Sequence, residues 1–140
     1  MPAVCAGRLK LAVVRLMLLD TDVMVDILRG HPPAMAWVAG PGAGPIGLPG
    51  LVAMELAQGC RNLLDQQQLE RQLRRFVWYW PTQADCQRAY QDLAAYRLSH
   101  GLSVMDALIG ATALGLGEPL ATFNVKHYRV MAGLVIVQPY

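Results

Sequence analysis

Short apolar segments alternate with longer helix-like segments along most of this chain, and this alternation constrains its fold more than any other feature. The segments that suit strands lie at residues 11–19, 46–48, 77–80, 120–122 and 134–137. The helix-like segments lie at residues 20–30, 34–39, 51–59, 63–76, 84–99, 103–116 and 125–131. Apolar residues recur at helical spacing in the segments at residues 20–30 and 63–76. Strands that alternate with helices form a parallel sheet covered by helices on both faces. The sequence therefore predicts an α/β fold.

The length and the cysteine content of the chain indicate a single cytoplasmic domain. A chain of 140 residues folds as one domain that buries about two-thirds of the surface of its unfolded form. The longest uncharged stretch, residues 30–54, contains six Gly and five Pro, so it cannot form a membrane helix. No cleavage site follows the apolar run near the amino terminus, so no signal peptide is predicted. The three cysteines share no close spacing, which indicates neither a disulfide framework nor a zinc site.

The net charge of +2 comes from the start of the chain. Arg8, Lys10 and Arg15 account for three of the twelve basic residues and precede Met17, which leaves nine basic against ten acidic residues in the remainder. We therefore expect an N-terminal extension at residues 1–16 and a domain at residues 17–140 that folds from Met17 onward. That domain is close to neutral, so no large basic field indicates a polyanionic partner.

A basic helix end and an aromatic strand lie next to each other in the middle of the chain. Arg71, Arg74 and Arg75 are expected on a solvated helix face, although such a cluster can also contact an RNA backbone. The segment VWYW at residues 77–80 is predicted to be a buried strand, because aromatic and β-branched residues favour that setting. Its rings are therefore expected in the core rather than on a surface that stacks bases.

Acidic and amide residues lie where the predicted strands end or where helices begin. In parallel sheets, ligands bind beyond the carboxyl ends of the strands. Asp20 follows the first strand directly, in the segment LLDTDVMVDIL at residues 18–28. Glu55 lies in the helix after the second strand, Asp106 in the first turn of the helix before the fourth, and Asn124 two residues after the fourth. These four positions are the candidate site.

Four segments in order, LLDTDVMVDILRG, AMELAQG, LSVMDALIGATAL and LATFNVKHY, resemble a PIN-domain ribonuclease of the VapC toxin type. The resemblance runs from about Met17 to Tyr140. It implies a five-stranded parallel sheet between helices and an acidic pocket that binds Mg²⁺, or Mn²⁺ in its place. It also implies hydrolysis of RNA, a small VapB-like antitoxin that restrains this activity, and a homodimer.

The resemblance assigns roles to individual residues. The catalytic positions fall on Asp20, Glu55, Asp106 and Asn124, and the metal carboxylates are Asp20 and Asp106. Two positions depart from the family pattern: Asn124 stands where the family has a fourth acid, and Val52 stands where Ser or Thr is common. The departures concern the side of the pocket that would hold a second metal.

Three neighbouring polar residues are expected to support the acids by hydrogen bonds. Thr21 and Asp22 follow Asp20 directly. Asp20, Thr21 or Asp22 can cap the helix that begins there. Ser103-x-x-Asp106 resembles a capping box with Asp in place of Glu, so Ser103 can cap its helix while Asp106 faces a metal. Asp26 lies further along the first helix, where we expect contact with water or with a neighbouring polar group.

The clustering of acids has a chemical reason. Two carboxylates about 5 Å apart repel by about 3 kcal/mol at an effective dielectric constant near 20. A divalent cation removes this repulsion, and Mg²⁺ prefers oxygen ligands. A metal-bound water loses a proton more easily than bulk water and can attack a phosphodiester.

Two other readings of these residues stay open. The segment DTDVMV also resembles the start of a haloacid-dehalogenase-type phosphatase, in which Asp20 would be the nucleophile and Asp22 the general acid. That class needs a later pair of acids, and Glu118 is the one acid after Asp106. The second reading is a PIN-like domain that binds a partner without catalysis, because Asn124 replaces an acid.

Overall fold

The computed structural model describes residues 16–140, and it contains a sheet of five parallel strands. The strands are β1 (Met17–Leu19), β2 (Ile46–Pro49), β3 (Val77–Tyr79), β4 (Leu120–Ala121) and β5 (Ile136–Val137). Their order across the sheet is β3-β2-β1-β4-β5, and each neighbouring pair is parallel. The predicted α/β fold with a five-stranded parallel sheet is therefore confirmed. Residues 11–15 of the predicted first strand lie outside the described residues.

Seven helices connect these strands in the described part of the chain. They are α1 (Thr21–Leu28), α2 (Pro32–Ala39), α3 (Gly50–Gln58), α4 (Leu63–Leu73), α5 (Gln83–His100), α6 (Val104–Leu116) and α7 (Val125–Tyr128). Each corresponds to a predicted helical segment, although α4 and α7 end three residues earlier than predicted. None of these helices is long and apolar enough to cross a membrane.

The core lies around β1, which is the middle strand. Leu18 and Leu19 of β1 are fully buried, and β2 and β4 flank them on either side. Helix α6 is closely packed through small residues, and Gly110 leaves no room for a side chain beside Met131. The middle of the sheet is therefore a rigid support for whatever follows β1.

The prediction of a buried strand at VWYW is wrong, because β3 is an edge strand. Val77, Trp78 and Trp80 are exposed to 62%, 42% and 54%. An edge strand has a neighbour on one side, and an apolar segment alone does not reveal where in the sheet it pairs. The two indole rings lie side by side, with centroids 6.4 Å apart. Trp80 covers Gly50 at the start of α3 so closely that a Cβ there would lie 2.5 Å from the ring.

The strand order reverses next to β1, and this reversal defines where a site can form. The chain moves from β1 outward through β2 to β3 and then returns to the other side of β1 as β4. The Asp20 amide donates to the Ala121 carbonyl at 3.0 Å, so the carboxyl ends of β1 and β4 meet. In such sheets the crevice at the reversal is where ligands bind.

Gly47 in β2 gives a test of how tightly the sheet is packed. A Cβ there would lie 2.7 Å from Tyr79 Cε2 and 2.8 Å from Leu18 Cδ2. Gly47→Ala is therefore expected to lower the free energy of unfolding by about 1–3 kcal/mol. This strain exceeds the gain of about 0.4–1 kcal/mol that Ala brings by restricting the unfolded chain.

Gly59→Ala is the matched control, since its nearest atom would lie at 3.5 Å and its φ of −79° suits Ala. Urea unfolding of both variants measures the difference. Equal stability of the two variants would contradict the packing described for Gly47.

Candidate active site

Asp20 lies at the carboxyl end of the central strand and is held by donors from three parts of the chain. Its Oδ1 accepts from the Thr21 amide at 2.8 Å and from the Tyr128 hydroxyl at 3.0 Å. Its Oδ2 accepts from the Thr122 hydroxyl at 2.7 Å. The residue is 5% exposed. Asp20 caps α1, as one reading of the sequence expected. The cap accounts for one of the three hydrogen bonds that its carboxylate accepts.

Burial raises the pKa of Asp20 to about 6. The neighbouring charge of Asp22 adds to this effect, while the hydrogen bonds from Thr122, Thr21 and Tyr128 oppose it. Among the described residues, the carboxylates within 4.0 Å of an arginine or histidine nitrogen are Asp65 beside Arg61, Asp92 beside Arg88 and Asp106 beside His127. Asp20 thus has no basic partner within residues 16–140, and the surrounding chain leaves its negative charge uncompensated.

The Tyr128 hydroxyl links Asp20 to Asp106. Tyr128 ends α7 and is fully buried, and its hydroxyl lies 3.0 Å from Asp20 Oδ1 and 3.3 Å from Asp106 Oδ1. Burial, followed by the charges of both carboxylates, raises the pKa of this phenol well above its usual range. The group therefore stays protonated and can act as a donor at any ordinary pH.

Asp106 lies in the first turn of α6, and its side chain is free to face the cluster. Ser103 caps this helix, because its Oγ accepts from the Asp106 amide at 3.1 Å. The Asp106 carboxylate contacts Tyr128 through Oδ1 and His127 Nδ1 through Oδ2, the latter at 3.3 Å. The structure thus places Ser103 on the backbone of Asp106 rather than on its carboxylate.

Glu55 reaches the cluster through Thr21. The Thr21 hydroxyl donates to Glu55 Oε1 at 2.6 Å, and Thr21 follows Asp20 directly. Glu55 is half-buried on α3. Thr21 and Glu55 also line a cavity of about 500 Å³ between α1, α3 and α4. Glu55 therefore faces an open space that Thr21, the residue after Asp20, also lines.

Asp22 connects α1 to the segment after β4. Its Oδ2 accepts from the Phe123 amide at 3.0 Å and lies 3.5 Å from the Thr122 hydroxyl. Burial raises the pKa of Asp22, and its hydrogen bonds oppose this. The third aspartate of this helix, Asp26, accepts from the Tyr140 hydroxyl at 2.7 Å. Asp22 thus supports the loop that carries Thr122, while Asp26 anchors the last residue of the chain.

Asn124 is joined to the acids through His127. The amide Nδ2 of Asn124 lies 3.0 Å from His127 Nδ1, which is also the atom near Asp106. The Asn124 backbone amide donates to the Thr122 hydroxyl at 3.0 Å. His127 therefore contacts both Asn124 and the carboxylate of a candidate ligand, Asp106.

The structure therefore brings some predicted residues together more closely than others. Asp20 and Asp106 contact the same hydroxyl, that of Tyr128. Asn124 is linked to Asp106 through His127, and Glu55 contacts Thr21. Within residues 16–140, no three His, Cys, Asp or Glu side chains are placed so that they alone could hold a metal ion.

Sequence reasoning missed Thr122 and Tyr128, although both contact Asp20. Thr122 was predicted to be the last residue of the fourth strand, whereas β4 ends at Ala121, so Thr122 follows β4 just as Asp20 follows β1. Tyr128 had a weak signal, as an aromatic residue at the end of the short helix VKHY. Neither is a typical metal ligand, so a search for acids passes over them.

Comparison with known proteins identifies the family. The sequence matches the PIN domain over residues 17–132. Two relatives are ribonucleases of Mycobacterium tuberculosis. VapC19 is 36% identical over 84% of this chain and 95% of its own. VapC10 is 33% identical, and the match covers 85% of this chain and 90% of VapC10.

A solved toxin–antitoxin complex from Klebsiella pneumoniae contains a similar fold. Its TM-score is 0.68 at 27% identity, and the match covers 89% of this chain and 98% of that one. The resemblance first indicated by the motifs around Asp20, Glu55 and Asp106 is thereby confirmed. The chain belongs to the PIN domain family.

Proposed function

We propose that this protein is a Mg²⁺-dependent endoribonuclease and the toxin of a toxin–antitoxin pair. The observation that carries the proposal is the contact of two carboxylates, Asp20 and Asp106, with one buried hydroxyl at the carboxyl end of β1. The two VapC relatives are named ribonucleases, which supports RNA as the substrate. The complex from Klebsiella pneumoniae supports an antitoxin as the partner.

The donors of the cluster fit a small divalent cation. Mg²⁺ binds oxygen, keeps several waters, and typically uses one or two protein carboxylates. Asp20 and Asp106 supply two carboxylates that are close together, because both contact the same hydroxyl. A carboxylate offers about four acceptor directions. Three of those of Asp20 are filled by hydrogen bonds, which leaves one for a cation.

Each residue has a distinct part in the proposed reaction. Asp20 and Asp106 hold the cation, which Mn²⁺ can replace. Glu55 is oriented through Oε1 by Thr21, so Oε2 is available to accept a proton from an attacking water. Asn124 adds an amide without adding charge. The chemistry that Mg²⁺ supplies when bound is the activation of water and the neutralisation of charge that develops on the phosphate.

Two further parts of the proposal concern the assembly and its location. A homodimer is supported by the exposed apolar side chains Val77 and Trp78 on the edge strand β3, which a second copy could cover. A cytoplasmic location is supported by Cys60 and Cys86, which form no disulfide within residues 16–140.

Asp20→Asn is expected to abolish cleavage of RNA while the fold survives. The change keeps the side-chain volume and removes the charge that holds the cation. Asp26→Asn is the matched control, because it makes the same change on the same helix at a carboxylate that contacts Tyr140 instead. Cleavage of a labelled RNA in Mg²⁺ measures both variants. Undiminished cleavage by folded Asp20→Asn would refute the site.

The same variant is expected to change how stability depends on pH when no metal is present. The pKa of Asp20 is about 6 in the folded protein against 3.8 as the reference value, so the folded state binds this proton more tightly than the unfolded state. Its contribution to stability is therefore largest below pH 3.8 and is lost as the pH rises to about 6. The loss corresponds to about 3 kcal/mol at most.

In EDTA, the stability of the parent relative to Asp20→Asn should thus fall between about pH 3.8 and pH 6. Urea unfolding at a series of pH values measures this difference for the two proteins. A difference in the free energy of unfolding that stays constant with pH would show that the charge of Asp20 does not destabilise the folded protein.

Asn124→Asp is expected to tighten Mn²⁺ binding by about tenfold, since it adds one negative charge close to Asp106. The parent is expected to bind one cation per chain. Asn62→Asp is the control, because it adds the same charge at the cap of α4, away from the cluster. Calorimetric titration of the three proteins with Mn²⁺ measures the affinity and the number of sites per chain. Two tight sites in the parent, or equal affinity in parent and Asn124→Asp, would place residue 124 outside the cation site.

A further inference from the structure

The proposed reaction assigns no role to Tyr128, although this residue contacts two of the residues that it uses. Its side chain is fully buried, and its hydroxyl lies between the Oδ1 atoms of Asp20 and Asp106. The two carboxylates come from segments 108 and 22 residues away along the chain. The hydroxyl is therefore the one atom of the described chain that contacts both candidate cation ligands.

A buried hydroxyl needs a hydrogen-bond partner, but this need alone does not explain these contacts. One backbone carbonyl would satisfy it. In this protein, Thr112 is buried and satisfies its hydroxyl in that way, by donating to the Leu108 carbonyl at 2.8 Å. Tyr128 instead places its single hydroxyl proton between two carboxylates that repel each other, so that both share one donor. The contact thus stabilises an arrangement that would otherwise be unfavourable.

We propose that Tyr128 is a positioning residue, whose hydroxyl holds the carboxylates of Asp20 and Asp106 close together and correctly oriented before a divalent cation binds. This inference rests on the proposed function of the cluster. Asp20 is fixed on its other sides by Thr21 and Thr122, and Asp106 by His127. Among the hydrogen bonds of residues 16–140, the Tyr128 hydroxyl is the one partner that the two carboxylates share.

The physical basis is preorganisation. Without the hydroxyl, the two carboxylates have no shared donor, and their repulsion favours rotamers that move the negative oxygens apart. A cation would then have to restore the arrangement at the expense of its own binding free energy. Residues that orient metal ligands typically contribute 10- to 100-fold in metal affinity.

Tyr128→Phe tests the inference, because it removes the hydroxyl and keeps the buried ring. Tyr140→Phe is the matched control: it removes a hydroxyl that donates to Asp26, another carboxylate of the same region. Mn²⁺ affinity of the full chain without RNA is measured by calorimetry, and urea unfolding in EDTA is measured in parallel. We expect Tyr128→Phe to bind Mn²⁺ 10- to 100-fold more weakly, and Tyr140→Phe to bind it as the parent does.

The results separate this inference from the proposed function. If Tyr128→Phe binds Mn²⁺ as tightly as the parent and is merely less stable, the hydroxyl serves the fold and the inference is wrong. If the parent itself binds no Mn²⁺, or binds it as Asp20→Asn does, the proposed site fails and the inference fails with it.

A second measurement covers the case in which Tyr128→Phe does not fold. The parent is labelled with ¹³C at the tyrosine Cζ, and the signals are assigned with Phe variants of the other four tyrosines, at positions 79, 90, 96 and 140. Mg²⁺ should shift the Tyr128 signal, since cation binding weakens the acceptors of its hydroxyl, and should leave the Tyr140 signal in place. An unchanged Tyr128 signal at saturating Mg²⁺ would overturn the inference.

Discussion

The burial of the Asp20 carboxylate at the end of the central strand is the constraint on which the rest of the site depends. Burial disfavours the charged form of this carboxylate and raises its pKa to about 6, and no basic side chain within residues 16–140 forms an ion pair with it. The fold compensates in part by directing donors at it from Thr21, Thr122 and Tyr128. Those donors come from α1, from the end of β4 and from α7, so the position of Asp20 fixes how these three elements meet.

The three aspartates in the segment LLDTDVMVDIL have three different structural roles. Asp20 is buried and contacts the residues of the candidate site. Asp22 accepts from the Phe123 amide and holds the loop after β4 against α1. Asp26 accepts from Tyr140, whose ring also packs against Phe123 with centroids 4.9 Å apart. The acid that caps α1 and the two acids within it thus organise, in turn, the site, the adjacent loop and Tyr140.

The features that the sequence could predict were those that depend on local pattern. The alternation of apolar segments with helical ones predicted the parallel sheet. The position of Asp20 directly after a strand predicted its place at the carboxyl ends of the strands. Pairing between distant segments was not accessible in this way. The location of β3 at the edge depends on the order of all five strands, so the exposure of Trp78 and Trp80 could not be seen in VWYW. The same holds for Tyr128, since its contacts with Asp20 and Asp106 span 108 and 22 residues.

The neutral residues of the cluster are as informative as the acids. Asn124 in place of an acid, with His127 between it and Asp106, keeps the number of negative charges near Asp20 low. Every additional carboxylate would raise the cost of the cluster without a cation and would also repel an approaching phosphate. Hydroxyl and amide groups orient the carboxylates without adding to that charge. The site therefore combines few charges with many neutral donors, and this suits a pocket in which a cation and a polyanionic substrate must be accommodated together.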